Sequence, residues 1–317
     1  MRFLVIIDPP AGLSPTSDTS IAIMDELYAR GHAVAVCQLA DLWIHGDEVG
    51  AATQAVTAVS RTTRPALALA PEVVDHELSR FHAVLMRKDP PYDEAYHMAT
   101  LLLEKARGKT LLFNDPRGLR EANEKLYIFH FPELLAPTIV ERRADKLRAF
   151  MQQQGGAVMI KPLDGFGGGG IFLLQEGDRN GNVILEVATD RGRRPVMAQR
   201  YLPEAREGDK RVLLLDGEPI GVLLRLPHES DHRSNLAVGG RGERGELSER
   251  DWHIIRRVQP RLRRDGLHFV GLDIVGGYLT EVNVTSPTGV QAIDRITGAR
   301  IEARIVDWLE RSAPQAV

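Results

Sequence analysis

Between two β-type apolar runs lies MIKPLDGFGGGGIFLL, in which four consecutive glycines occupy 167–170 and Lys161 stands just ahead of the loop. A run of glycines costs more backbone entropy than a turn requires. In return, successive N–H groups can close on an anion with no Cβ in the way, and a lysine adds a point charge suited to phosphate. A phosphate cradle at 164–170 with Lys161 is the expectation, against the plainer alternative of a flexible hairpin tip. Common phosphate fingerprints are missing: no G-x-G-x-x-G joins the first strand to the first helix. Gly108-Lys109-Thr110 has Leu103 where a P-loop has its first glycine, and it precedes a strand.

A second group lies in VGLDIVGGYLTEVNVTSPTG, residues 270–289. Two apolar runs around Gly276-Gly277 predict a β-hairpin carrying Asp273, Glu281 and Asn283, oxygen donors of the kind magnesium prefers. A strict two-residue loop would pair Asp273 with Thr280 and put Glu281 and Asn283 on the opposite face. An odd loop or a bulge would pair Asp273 with Glu281 instead. Acids within otherwise apolar strands favour a metal site and hence the odd register. A surface hairpin with solvated acids is the alternative.

Cations are scattered at Arg87-Lys88, Lys125, Lys210-Arg211, Arg225 and Arg241. Arg87 directly follows a predicted strand, where ligands gather in α/β sheets, and Arg225 ends another; guanidinium forks suit carboxylates. Residues 228–249 form a polar, Gly- and Arg-rich stretch without periodicity, expected as a lid loop. Pro227 and the polar surroundings argue against His228 and His232 sharing a helix face. With no H-E-x-x-H and no Cys pair, zinc is not expected, nor does a G-x-S-x-G elbow occur. Cys37 lies in an apolar strand and reads as core.

The elements that must position these groups fall into two textures. Residues 3–7 form a short buried strand, and Ser17 and Asp18 offer caps for a helix through Ile21, Met24, Leu27 and Tyr28 that Gly31 closes. A strand resumes at 33–36, so a parallel α/β layer is expected. Residues 50–70 are small and Thr-rich and read as an irregular strand-and-loop excursion. A strand at 83–86, a helix over 94–107 and a strand at 110–113 follow, with a domain boundary near 120–125, placed at 122/123. Beyond it, runs at 158–160, 171–174, 212–215 and 220–224 alternate with turn signals such as Asp216-Gly217, as antiparallel hairpins of an α+β domain do.

With 317 residues the chain has room for about two domains. A net charge of −3, from 40 basic and 43 acidic residues, supplies no field to hold nucleic acid. The single cysteine fits a reducing cytosol, and no run approaches the roughly 18 apolar residues of a membrane span. A cytoplasmic protein is expected.

The ordered blocks MRKDPPYD (86–93), NDPRGLREANEKL (114–126), KPLDGFGGGGIF (161–172), MAQRYLP (197–203), GDKRVLLLDGEPIG (208–221), NLAVGGRGE (235–243) and GLDIVGGYLTEVNVTSPTG (271–289) together resemble the bacterial glutathione synthetases, members of the ATP-grasp ligases. The resemblance covers nearly the whole chain. It implies an ATP-grasp domain over 123–317, with two antiparallel β-layers enclosing the nucleotide and a Gly-rich hairpin at 161–174 above the phosphates. By position it implies ATP contacts at Lys125, Lys161, Gly165, Gly167, Gly168, Gly169, Gly170, Gln199, Tyr201, Leu202 and Asp209. Asp273, Glu281 and Asn283 match the Mg²⁺ ligands, with Mn²⁺ an open alternative. Arg211 and Arg225 match catalytic arginines, and Arg87, Arg225, Arg241, Ser286 and Thr288 match positions around the peptide. The family commonly continues after SPTG with Ile-Arg-Glu-Ile, whereas Val290-Gln291-Ala292-Ile293 stands here; HESDHRS (228–234) is also individual to this chain. The implied reaction joins γ-glutamylcysteine and glycine through an acyl phosphate, in a homo-oligomer. Two alternatives are another carboxylate–amine ligase with a different acceptor and a non-catalytic ATP-binding protein.

Overall fold

The chain opens on β1 (Arg2–Ile6), whose residues 3–6 have no solvent exposure. Such a strand needs cover on both faces, and it lies inside a sheet with β2 (Ala33–Cys37) and β6 (Ala83–Met86) parallel on either side. Helix α1 (Thr19–Ala29) makes the crossover, started by the Asp18 carboxylate accepting from the Ser20 N–H at 2.7 Å. Next to β6 lies β7 (Leu111–Phe113), also parallel, reached through α2 (Glu94–Leu103). Helix α3 (Pro116–Glu121) ends just ahead of the expected boundary at 122/123.

Residues 50–70 differ from the irregular excursion expected of them. They belong to a hairpin of two long strands, β4 (Glu48–Val59) and β5 (Leu67–Glu77), with the short β3 (Leu42–His45) on the other edge of β4. Register shifts near Gln54–Val56 and Val56–Ala58 break the two-residue period, and most of β5 is exposed, so no apolar alternation marks it.

The computed structural model describes residues 1–228 and 239–314. A second, antiparallel sheet runs β10 (Phe172–Gln175), β9 (Ala157–Pro162), β11 (Val196–Arg200), β8 (Thr138–Glu141). Helices α4 (Ala144–Gln153) and α5 (Gly181–Ala188) cover one of its faces, burying Leu147, Phe150 and Leu185 against Val158, Ile160 and Ala198. The other face is left for the site.

A third sheet, again antiparallel, has the order β14 (Arg241–Arg244), β13 (Glu218–Leu226), β12 (Asp209–Leu215), β15 (Phe269–Val275), β16 (Tyr278–Asn283). Helices α6 (Glu249–Arg264), α7 (Val290–Thr297) and α8 (Ile301–Ser312) pack on it. Two strands at the centre of the molecule split their side chains by the pleat: Leu4, Ile6, Val212 and Leu214 enter one core, and Phe3, Val5, Leu213 and Leu215 the other. The first and third sheets therefore share both cores. Residues 241–244, expected inside a loop, pair with β13; the remainder of that expected loop from 229 to 238, with most of HESDHRS and part of NLAVGGRGE, lies outside the described residues. Among the described residues no helix is long and apolar enough to cross a membrane.

Candidate active site

The second and third sheets face each other across a cavity of about 440 Å³. Part of its lining is apolar, made of Met159, Ile171, Tyr201, Leu202 and Val275. One buried amide belongs to the same lining: Gln199 donates to Thr138 Oγ1 and accepts from Lys161 Nζ, each at 3.0 Å. A flat base can rest among such side chains while a polar edge is read by the strand that carries Gln199.

Other parts of the lining are polar. Lys125, with 4% of its surface exposed, donates from Nζ to Gly165 O at 2.6 Å and to Glu281 Oε1 at 2.8 Å. Burial alone lowers its pKa, but the Glu281 charge and hydrogen bond outweigh that and raise it. Lys161 makes no such carboxylate contact among the described residues, and burial lowers its pKa. Lys125 thus bonds to the loop joining β9 to β10, of which Gly165, Gly167, Gly168 and Gly169 line the cavity beside Lys161, whereas Gly170 is not part of the lining. Gly168 has φ +82°, and a Cβ on Gly165 would lie 2.6 Å from Pro162 Cγ. The glycine run is therefore required by backbone geometry as well as by access to an anion.

The hairpin of β15 and β16 adopts the register in which Asp273 faces Glu281. It does so through a bulge: Gly276 and Gly277 form a two-residue turn, and Thr280 is the extra residue, its Oγ1 donating to Asp273 O at 3.0 Å. Asp273, Glu281 and Asn283 all line the cavity. Arg211 grips Asp273 through Nε at 2.6 Å and Nη2 at 3.1 Å, and Arg225 adds Nη2 at 3.0 Å while its Nε reaches Asp209 at 2.5 Å. Burial would raise the Asp273 carboxyl, but the two guanidiniums hold it well below the usual carboxylate range. Three oxygen donors on a rigid hairpin beside two lysines fit a hard divalent cation and not zinc. Among the described residues no group of three His, Cys, Asp or Glu is placed to hold a metal ion, so this donor set depends on Asn283 beside its two acids.

Ser286, Thr288 and Gly289 also line the cavity, together with Asp89 and Glu124. Arg87 does not reach it. Its buried guanidinium donates to Pro287 O and to Ser20 Oγ, each at 3.2 Å, and lies over the Phe269 ring, so it props the 285–289 loop from behind. Arg241 is exposed and pairs with Glu243, away from the cavity. Gly170 apart, the other expected residues converge. Sequence reasoning missed Glu124, an acid inside a polar stretch whose only signal was its place beside Lys125.

Two antiparallel sheets holding a cleft with apolar side chains, two lysines, a glycine hairpin and an acidic hairpin in its lining define an ATP-grasp ligase. Among solved structures with this fold are a Chryseobacterium gregarium RiPP-associated ATP-grasp ligase in complex with ADP and a leader and core peptide (TM-score 0.66, 14% identity, 99% of this chain and 98% of that one) and a D-cycloserine synthetase (TM-score 0.62, 14% identity, 97% and 99%). The family models of the prokaryotic glutathione synthetase N-terminal domain and ATP-grasp domain match residues 1–120 and 124–298. Glutathione synthetases of Thermosynechococcus vestitus and Gloeobacter violaceus are 47% and 48% identical to it, each over 98% of this chain and over 99% and 96% of theirs. That of Salmonella typhi is 44% identical over 96% of this chain and 97% of its own. The chain belongs to the prokaryotic glutathione synthetase family.

Proposed function

We infer that the chain is a glutathione synthetase, an ATP-dependent ligase that joins γ-glutamylcysteine to glycine and releases ADP and phosphate. What carries this is one convergence: Lys125, Lys161, the glycine loop, the Asp273–Glu281 hairpin and Ser286, Thr288 and Gly289 all line one and the same cavity.

A carboxylate is a poor electrophile, and its condensation with an amine is uphill in water. Phosphorylation solves both problems. The cysteinyl carboxylate oxygen attacks the terminal phosphorus of ATP, the bond to ADP breaks, and an acyl phosphate forms. The glycine amine, having lost a proton, attacks the acyl carbon; the C–N bond forms, the C–O bond to phosphate breaks, and phosphate leaves. Such chemistry asks for positioning and charge neutralisation more than for covalent participation by the protein.

Gln199, Tyr201 and Leu202 would hold the adenine end, and Asp209 lines the same cavity. Lys125 and Lys161 hold phosphate oxygens, with the N–H groups of 165–170 above them. Asp273, Glu281 and Asn283 would hold a divalent cation, magnesium in this reading, which supplies charge neutralisation at the phosphates when bound. Arg211 and Arg225, already desolvated and locked on Asp273 and Asp209, need no reorganisation to face charge developing at the acyl centre. Ser286 and Thr288 would meet the dipeptide, with Arg87 acting on it through the loop that it props. The same reading expects a cytoplasmic homo-oligomer.

The test is product formation from γ-glutamylcysteine, Mg-ATP and a panel of acceptors. Glutathione and ADP should appear in equal amounts with glycine, and turnover with β-alanine should be much lower. ADP release that prefers another amine would assign a different ligase.

A further inference from the structure

Five acids line the cavity: Asp89, Glu124, Asp209, Asp273 and Glu281. Three of them already carry a cation, since Asp209 and Asp273 are held by arginines and Glu281 by Lys125. Asp89 is exposed at the rim. Glu124 differs from all of these. Its Oε1 accepts three hydrogen bonds, from Val284 N at 3.0 Å, Thr285 N at 3.2 Å and Thr285 Oγ1 at 2.8 Å. Its Oε2 takes no hydrogen bond from any described residue, although the side chain is half-buried and lines the cavity.

This carboxylate is therefore fixed in orientation by one oxygen and left with the other for a ligand. It is also an anion short of compensation: burial and the nearby Glu281 charge disfavour its ionised form, more than the Thr285 hydrogen bonds and the Lys125 charge relieve it. A cation arriving at Oε2 would gain a charge-assisted hydrogen bond in a desolvated site. Position says which cation. Glu124 is the residue before Lys125, assigned to phosphate, and it is bonded to Thr285, next to Ser286, assigned to the dipeptide. The acyl carbon of the intermediate must lie between those two groups, and the acceptor amine has to reach that carbon.

We propose that Glu124 Oε2 binds the ammonium group of the acceptor amino acid and holds its nitrogen beside the acyl phosphate, where it attacks once one proton has passed to solvent water. The assignment rests on the ligase reading above and adds the acceptor side of it. It also gives the site a way to prefer an amino acid over water at the acyl carbon, because water brings no positive charge to be held.

The substitution E124Q keeps an oxygen that can accept the three hydrogen bonds of the 284–285 loop and removes only the charge. The glycine KM should rise about tenfold or more, the loss expected for one hydrogen bond to a charged group, while KM for ATP and for γ-glutamylcysteine moves less than twofold. Hydroxylamine, a neutral nucleophile that traps acyl phosphates, provides the second measurement. In E124Q the ratio of hydroxamate to glutathione formation, at fixed concentrations of both acceptors, should rise about tenfold or more over that of the wild-type enzyme. An unchanged glycine KM, a rise confined to the dipeptide KM, or an increased magnesium requirement without a change in that ratio would each overturn the assignment. E124D, which keeps the charge but draws it back, should shift the glycine KM in the same direction, and it takes over the test if the glutamine variant does not fold. Absence of any hydroxamate from the wild-type enzyme would instead strike at the acyl-phosphate reading itself.

Discussion

Asp273 and Glu281 stand directly opposite each other on neighbouring strands because Thr280 bulges out of the ladder between them and the glycine turn. Without that extra residue Asp273 would face Thr280, and Glu281 and Asn283 would point to the other side of the sheet. The bulge thus decides on which face of the hairpin three oxygen donors meet. Thr280 is kept there by its own hydroxyl, which donates back to Asp273 O.

Glu281 serves two partners in this arrangement, Lys125 and the proposed cation. In E281Q the amide oxygen can still accept from Lys125, so the protein should melt close to the wild type. The magnesium concentration for half-maximal turnover should rise about tenfold or more, as expected when an anionic ligand becomes neutral. A magnesium titration of ADP release checks this. An unchanged titration would remove Glu281 from the metal site.

This hairpin also marks how far the sequence could be read. Acids set in apolar strands pointed to one register out of two, and the glycine run beside Lys161 pointed to an anion; both depend on residues close in the chain. Glu124, by contrast, gains its meaning from Thr285, 161 residues away, and Arg87 loses its expected place in the lining because Pro287 and Ser20 claim its guanidinium. The hairpin of β4 and β5 escaped notice for a local reason, since its register shifts erase the alternation that identifies a strand. Contacts between distant segments and irregular pairing leave no periodic trace.

Gly168 lies at φ +82° in the glycine loop proposed to cradle phosphate, whereas Gly169 has no left-handed backbone and a Cβ there would sit 3.3 Å from Phe166 O. An alanine at 168 must pay about 1–2 kcal/mol to keep the loop conformation. G168A should therefore raise the KM for ATP roughly five- to thirtyfold, and G169A distinctly less. Both loop variants should melt near the wild-type temperature because the loop contributes little to any core. Equal effects at the two positions would mean that the glycine backbone conformation is not what the nucleotide requires.

A pH effect is expected far from the cavity. Asp294 Oδ2 on α7 and Glu302 Oε2 on α8 are buried, and neither finds a donor among the described residues. Burial, then the neighbouring Glu302 carboxyl, push Asp294 up to about 7, while Glu302 is lowered by Asp294 and Arg61 against the effect of its own burial, so one shared proton is expected on the pair. Arg61 and Arg300 are the cations facing them. A carboxyl whose pKa is higher folded than unfolded contributes stability below about pH 4, and that contribution is lost as pH rises toward 7. D294N supplies a permanent N–H donor in place of the proton. Its melting temperature relative to wild type should grow more favourable from pH 5 to pH 8, and a difference that stays flat with pH would dismiss the shared proton.

Gln291 stands where the family commonly has an arginine, and its contacts explain how a neutral residue can serve there. Its buried Nε2 donates to Pro15 O at 3.1 Å and Asp18 O at 2.7 Å, fastening the start of α7 to the loop before α1. Asp18 caps α1 at Ser20, the Ser20 hydroxyl accepts from Arg87, and Arg87 holds Pro287 O. The chain of bonds closes on the 285–289 loop from which α7 starts. Loosening any member should let that loop drift, and only the substrate resting on it should notice. Q291A strands the Pro15 carbonyl, which costs about 1–3 kcal/mol if left unsatisfied, and leaves Asp18 O with only the longer bond from Ala22 N at 3.4 Å. A lower melting temperature should accompany a several-fold higher KM for γ-glutamylcysteine, with the KM for ATP unchanged. Q291E should be worse than Q291A on both counts, because it puts an acceptor against two acceptors and a negative charge near Asp18. Steady-state kinetics in each substrate decide the matter: a loss spread equally over ATP and dipeptide would make Gln291 a structural residue and nothing more.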